Sequence, residues 1–239
     1  MQTVNILGIN FVKDPFSKFT KELEKRINQR RNTFVVTANP EIVMYARKHI
    51  QYRRIISQAN FITPDGIGII KGAKILGKKI PDRISGYDLF ITLLKWGNIK
   101  HKSIYLLGAK QSVIIKLRKK INQEFPNLKI TGFHNGYFTQ ERKIVDQIKA
   151  TKPDMVFIAL GYPKQEQFIN RYRKCSNGLW IGLGGSFDVM SGTVKRAPKF
   201  WIKHNLEWLY RLIKEPQRLG RMMSLPKFVI RVYQQKKRS

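Results

Sequence analysis

DMVFIALGYPKQEQFINRYRKCSNGLWIGLG, residues 154–184, holds two short apolar runs, DMVFIAL (154–160) and GLWIGLG (178–184). Between them lies a polar stretch that fits a helix over 163–174. Neither run alternates polar with apolar, so both read as strands buried on both faces. Strand, helix, strand is the unit of a parallel sheet. The same alternation continues upstream. SIYLLG (103–108) and LKITGF (128–133) read as strands, with helical stretches at 111–124 and 140–151. TFVVTA (33–38) and NFIT (60–63) are two more. Asn39-Pro40-Glu41 opens the helix after the first of these, with an N-cap side chain, a proline at the first helical position and an acid in the first turn. VNILGINFV (4–12) reads as one strand, followed by Phe16, Phe19, Leu23 and Ile27 at helical spacing. The predicted class is α/β.

The 239 residues carry 46 Lys and Arg against 15 Asp and Glu, a formal charge of +31. A hydrophobic fraction of 42% with 11% aromatics excludes a disordered basic chain. One cysteine, Cys175, excludes a disulfide framework and a cysteine-based zinc site, and fits a reducing, cytoplasmic setting. No run approaches the ~18 apolar residues of a spanning helix, and the N-terminus lacks a signal peptide's order. A soluble or peripheral protein with anionic partners is expected. The charge is uneven: from Lys195 onward 13 basic and two acidic residues fall within 45 positions. We therefore expect a catalytic body over 1–195, with a mostly parallel, Rossmann-like sheet between two layers of helices. A basic amphipathic appendage over 196–239 should follow it.

Ligands of such a sheet bind beyond the carboxyl ends of its strands. That rule collects Thr37 and Asn39, Asp65, Gly108, Asn135 and Tyr137, Gly161 to Gln167, and Gly184-Gly185-Ser186 along one rim. Each is also a residue type that turns and caps prefer. For Asn39 capping is the better reading, and for Asp65, in T-P-D-G, turn and function both stay open. The four histidines are scattered, with no HExxH or other metal-ligand spacing. G-x-S-x-G and Walker A motifs are absent, and so is any D-x-D pair. An enzyme of nucleotide sugars with this sequence has to neutralise a diphosphate with Arg, Lys and helix N-termini, without metal or cofactor.

Seven segments then act together: TANPEIVMYAR (37–47), TPDGIGIIKGAKILG (63–77), DRISGYDLF (82–90), LGAK (107–110), IALGYPKQEQFI (158–169), GLGGSFDVMSGTVKRAP (182–198) and LEWLYRLIKEPQRLGR (206–221). In this order they resemble the WecG/TagA/CpsF glycosyltransferases, glycosyltransferase family 26, from about residue 4 to residue 230. TANPEI is most similar to the TagA-type branch, which makes the linkage unit of wall teichoic acid. The resemblance implies an inverting transfer of N-acetylmannosamine from UDP-N-acetylmannosamine to polyprenyl-diphosphate-linked N-acetylglucosamine. It implies Asp65 as the catalytic base, with Thr37 and Asn39 beside it. Arg83, Gln165 and Gln167 match polar groups that handle the donor; Gly108 and Tyr137 lie on the nucleotide side. The tail matches an appendage that reaches the membrane and helps to close the pocket, with Arg211, Lys214, Arg218 and Arg221 as its candidate diphosphate or membrane contacts. A relative acting on another UDP-sugar, such as N-acetylmannosaminuronic acid, would carry the same motifs.

These residue types suit the chemistry. Inversion needs a base within reach of the acceptor hydroxyl, and a carboxylate suffices because that proton turns acidic late in an oxocarbenium-like transition state. The leaving diphosphate gains charge, so fixed cations there act most strongly in the transition state. For Arg83 the competing reading is an ion pair with Asp82 or Asp88. In the tail, Leu225, Phe228, Val229, Val232 and Tyr233 share one helical face flanked by Lys227, Arg231, Lys236, Lys237 and Arg238, which suits an anionic membrane interface on the cytoplasmic side. Trp208, Leu209, Leu212 and Ile213 are expected to pack on the body or on a partner. The charge alone would also fit a nucleic-acid-binding protein, but no module signature supports one, and no nucleic-acid partner is expected. A homo-oligomer stays open.

Overall fold

The computed structural model describes residues 1–204, 206–214 and 223–238, without the side chains of Lys199, Lys203 and Arg211. The chain opens with β1 (Thr3–Ile6) and β2 (Ile9–Val12), then α1 (Phe16–Asn28), β3 (Thr33–Ala38), α2 (Pro40–Lys48), α3 (Ile50–Ser57) and β4 (Phe61–Pro64). Next come α4 (Ile67–Ile75), α5 (Gly86–Ile99), β5 (Ser103–Gly108), α6 (Gln111–Glu124), β6 (Lys129–His134), α7 (Glu141–Thr151), β7 (Met155–Ala159), α8 (Lys164–Tyr172) and β8 (Leu179–Gly182). The C-terminal part forms α9 (Ser186–Met190), α10 (Lys199–Lys203), α11 (Glu207–Lys214) and α12 (Ser224–Arg238).

Six strands make one sheet in the order β4-β3-β8-β7-β5-β6, and every neighbouring pair is parallel. Alternate residues of each strand face opposite layers. Phe34, Val36, Tyr105, Leu107, Val156 and Trp180 meet α2, α3, α7 and α8, while Val35, Leu106, Phe157 and Ile181 meet α1, α5, α6 and α9. The expected class holds. Because β3 is followed by a helix of the first layer and β8 by one of the second, the chain parts between them at the carboxyl rim. The β5/β7 pair parts in the same way, since α6 and α8 lie in different layers. Two crevices of the kind that hold ligands therefore open on one edge of the sheet.

The stretch 4–12 is two strands. Leu7 and Gly8 take φ of +52° and +81°, and β1 folds back antiparallel on β2 as a separate hairpin. Asn5 braces the turn, accepting from Gly8 N–H at 3.1 Å and donating to Asn10 at 2.7 Å. A tight turn at Leu-Gly leaves the apolar pattern unbroken, which is why the sequence reads as one strand.

The last helix is part of the body. Phe228 and Val232 of α12 are fully buried in the layer with α2 and α4. Gly72 of α4 makes room for the Phe228 ring, since a Cβ there would stand 2.9 Å from it. Two of the five residues expected to form a membrane-facing stripe thus face inward, whereas Val229, Ile230 and Tyr233 are exposed. Of the apolar set in 206–213, Leu209 and Leu212 are half-buried while Trp208 and Ile213 are exposed, and Glu207 of α11 is buried. Among the described residues, no helix is long and apolar enough to cross a membrane.

Candidate functional site

Asp65 stands one residue beyond β4. Its N–H donates to Ala38 O and Thr63 O, each at 3.0 Å, which fixes the backbone where β3 and β4 end side by side. Gly66 follows with φ +101°, a conformation open to glycine, and turns the chain into α4. On β3, Thr37 is buried and its Oγ1 donates to Gly182 O at 3.0 Å, tying β3 to β8 at the rim. Asn39 Oδ1 accepts from Ile42 N–H at 2.9 Å, the expected cap of α2. Thr37, Asn39 and Asp65 are therefore brought together, with Thr37 and Asn39 already engaged in shaping the crevice.

Arg83 joins them through the backbone. Ile84 N–H donates to Pro64 O at 3.0 Å, and Thr63 Oγ1 donates to Ile84 O at 3.3 Å, so the segment before α5 runs back along β4. The guanidinium Nη1 donates to Glu207 Oε2 at 3.0 Å, and Nη2 lies 3.8 Å from Asp88 Oδ2. Burial works against the charge of Arg83, but the carboxylates of Glu207, Asp65 and Asp88 outweigh it and raise its pKa above the ordinary value. Asp88 is itself held by Ser85 Oγ at 2.6 Å and by Arg196 at 2.7 Å, while the Arg196 guanidinium lies over the Tyr87 ring. The expected pairing with Asp88 is thus present as the longer contact. Asp82 instead accepts from Phe16 N–H at 2.8 Å. Glu207 was missed. One signal was available: it is one of only two acids in a stretch with 13 cations.

The rest of the rim divides by depth. Gln165 is 3% exposed, and its side chain holds the glycine-rich turn after β8, accepting from Gly184 N–H at 3.0 Å and donating to Glu166 at 2.7 Å. A Cβ on Gly182 would stand 2.6 Å from the Gln165 amide, so the two need each other's shape. Gln167, two residues on and so on the opposite side of α8, is exposed. Glu166 is fully buried, and burial pushes its carboxyl up to about 7. Its Oε2 and the Tyr52 hydroxyl are both buried outside hydrogen-bonding geometry, yet near enough for each to act on the other's charge.

At the second crevice Gly108 has φ +129°, and a Cβ on it would stand 2.4 Å from Ala159 O, so only glycine lets the end of β5 lie this close to the backbone of β7. Tyr137 is 74% exposed beyond β6, with its N–H held by Asn135 Oδ1 at 2.8 Å. Asp65 and Tyr137 mark opposite ends of the rim, five strand spacings or roughly 24 Å apart. Lys214 is exposed at the end of α11. Arg218, Arg221 and the side chain of Arg211 lie outside the described residues. Among the described residues, no group of three or more His, Cys, Asp or Glu is placed to hold a metal ion.

The chain matches the model of the glycosyl transferase WecG/TagA/CpsF family over residues 4–239. It is 44% identical to an N-acetylglucosaminyldiphosphoundecaprenol N-acetyl-beta-D-mannosaminyltransferase of Bacillus spizizenii, across 100% of this chain and 94% of that protein. A protein of the same name from Bacillus subtilis is 46% identical across 99% and 93%. One from Staphylococcus aureus is 34% identical across 98% and 94%.

Proposed function

The chain belongs to the WecG/TagA/CpsF glycosyl transferase family, and on that premise we propose that it moves N-acetylmannosamine from UDP-N-acetylmannosamine to undecaprenyl-diphosphate-linked N-acetylglucosamine. The observation that carries this reading is the 44–46% identity, over practically the whole chain, to two transferases whose names state that acceptor and that sugar. The pathway is then the linkage unit of wall teichoic acid.

In this reaction Asp65 is the base. It takes the proton of the acceptor hydroxyl as that oxygen attacks the anomeric carbon from the face opposite UDP, and the configuration inverts. Thr37 and Asn39 shape the floor beneath the sugar, and Gln165 holds the Gly184 turn at its side. The nucleotide lies toward Gly108 and Tyr137, whose exposed ring offers a face to the base. Arg83 acts next to Asp65 at the transfer end. Tail cations, Arg211, Lys214, Arg218 and Arg221 among them, meet the leaving diphosphate or the lipid headgroups. The protein works peripherally on the inner face of the membrane, where the lipid-linked acceptor resides.

The test is transfer by purified protein from a panel of UDP-sugars to a lipid-diphosphate N-acetylglucosamine, read by product mass. UDP-N-acetylmannosamine should give the largest kcat/KM. A preference for UDP-N-acetylmannosaminuronic acid would assign the protein to capsular or exopolysaccharide synthesis instead. Chelation with EDTA should leave the rate unchanged, since the sequence has no D-x-D pair to bind a metal–diphosphate complex. Loss of activity restored by magnesium or manganese would overturn the cation-based account of the leaving group.

A further inference from the structure

We infer that Glu166 is a positioning residue for the transfer: as a buried hydrogen-bond acceptor it fixes which way the Gln165 amide points, and through that amide it sets the glycine turn after β8 against which the sugar lies. This rests on the transferase reading above and adds a residue to it. Glu166 is fully buried in α8, and among the described residues no ion pair compensates it. Burying a carboxyl without a cation is unfavourable, and an apolar side chain of similar size would serve the fold better. Stability alone therefore does not account for an acid at this position. What the carboxyl supplies is an acceptor at one end of a directed pair of hydrogen bonds.

The direction of each bond follows from its chemistry. Gly184 N–H can only donate, so the group it meets at 3.0 Å has to be the carbonyl end of the Gln165 amide, Oε1. The NH2 end is then turned to Glu166 and donates to its Oε1 at 2.7 Å. An amide turned the other way would set donor against donor at Gly184 and oxygen against oxygen at Glu166. Glu166 serves in either protonation state, because a proton on Oε2, the oxygen these bonds leave unused, does not disturb them. At the other end the relay meets the rim. Gly182 gives the amide room, since a Cβ there would stand 2.6 Å from Nε2, and Gly182 O accepts from Thr37 Oγ1 at 3.0 Å. The turn has little packing of its own: beyond its chain neighbours, a Cβ built on Gly184 or Gly185 would meet nothing within 4 Å. Its placement depends on hydrogen bonds, and the one to Gln165 is aimed by Glu166.

The experiment uses the full chain and a soluble acceptor, so that vesicle binding does not enter. Glu166→Met keeps the size and removes the acceptor. Its kcat should fall about 10- to 100-fold, the scale of a misaligned reactant, with the donor KM changed less than about threefold. Glu166→Gln, whose amide oxygen can still accept from Gln165, should recover most of that rate. In a Gln165→Met background, Glu166→Met should add no further loss, because the two residues act as a unit. Additive losses, equal rates in the Met and Gln variants, or a lowered melting temperature with kcat of the folded enzyme unchanged would overturn the proposal. Hydrogen exchange of the Gly184 amide, followed by NMR on substrate-free protein, needs no turnover. It should be about 3- to 10-fold faster in Glu166→Met than in wild type or Glu166→Gln, the scale of one hydrogen bond. If wild-type protein transfers no sugar, the transferase reading falls by itself and the exchange rates alone decide the relay. Equal exchange in all three proteins overturns it.

Discussion

Asp65 is held by two backbone bonds from its own N–H, and its carboxylate follows directly on the end of β4. Asp65→Asn keeps the shape and removes the base, so kcat should drop about 10²- to 10⁴-fold. UDP affinity by titration calorimetry and the melting temperature should stay near wild type; a near-normal kcat would make Asp65 a turn residue. Glu166 gives a second test at this scale. Its folded pKa of about 7 lies above the 4.5 of an ordinary glutamate, so between those values the native state holds a proton that the unfolded chain has released. Stability from this group is present below pH 4.5 and is lost as pH rises toward 7. Glu166→Gln should therefore raise the melting temperature more at pH 8 than at pH 5, by of order 5 °C. Equal gains at both values, by calorimetry, would show that the carboxyl ionises freely. Of the residues singled out, Asn39 was legible because a cap is local chemistry: an amide, a proline and a helix within four positions. Glu207 was not, because its meaning depends on a partner 124 residues away.

Among the elements, the strands of the parallel sheet were readable because burial on both faces leaves unbroken apolar runs such as MVFIA and LWIG. Their order was not, since β8 inserts between β3 and β7 through crossovers that no local pattern encodes. The hairpin at Leu7-Gly8 escaped for a related reason, as its turn is built from an apolar residue and one glycine. Helix α12 is the clearest case of a periodic face whose destination the sequence left open. Phe228 and Val232 face the body, and Gly72 is shaped to the ring. Phe228→Ala should cost about 3–5 kcal/mol of unfolding free energy in urea, the scale of a buried aromatic lost from a core. A loss below 1 kcal/mol would mean that α12 docks only loosely. Removing the tail is accordingly a poor way to test membrane binding, because it also strips the core.

At the scale of the molecule, +31 charges on a folded chain make a long-range field that favours anionic surfaces and weakens with salt. Exposed Val229, Ile230 and Tyr233 on α12 lie among Lys227, Arg231, Lys236, Lys237 and Arg238, so the outward side of this helix is where a lipid surface would be met. Reversing Lys236, Lys237 and Arg238 to Glu leaves Phe228 and Val232 in place. It should lower co-sedimentation with anionic vesicles at least tenfold, since each basic residue near such a surface contributes about 1 kcal/mol. Unchanged sedimentation would place the contact elsewhere. The same helix closes the fold: Leu7 N–H donates to Gln235 Oε1 at 2.8 Å, and Gln235 Nε2 donates to Asn5 O at 3.3 Å. During synthesis the hairpin leaves the ribosome some 228 residues before the glutamine that completes it. A nascent chain thus holds this turn uncovered until α12 has emerged, and a ribosome stalled in the tail leaves the six-stranded sheet whole but the hairpin unlatched, open to chaperones and proteases.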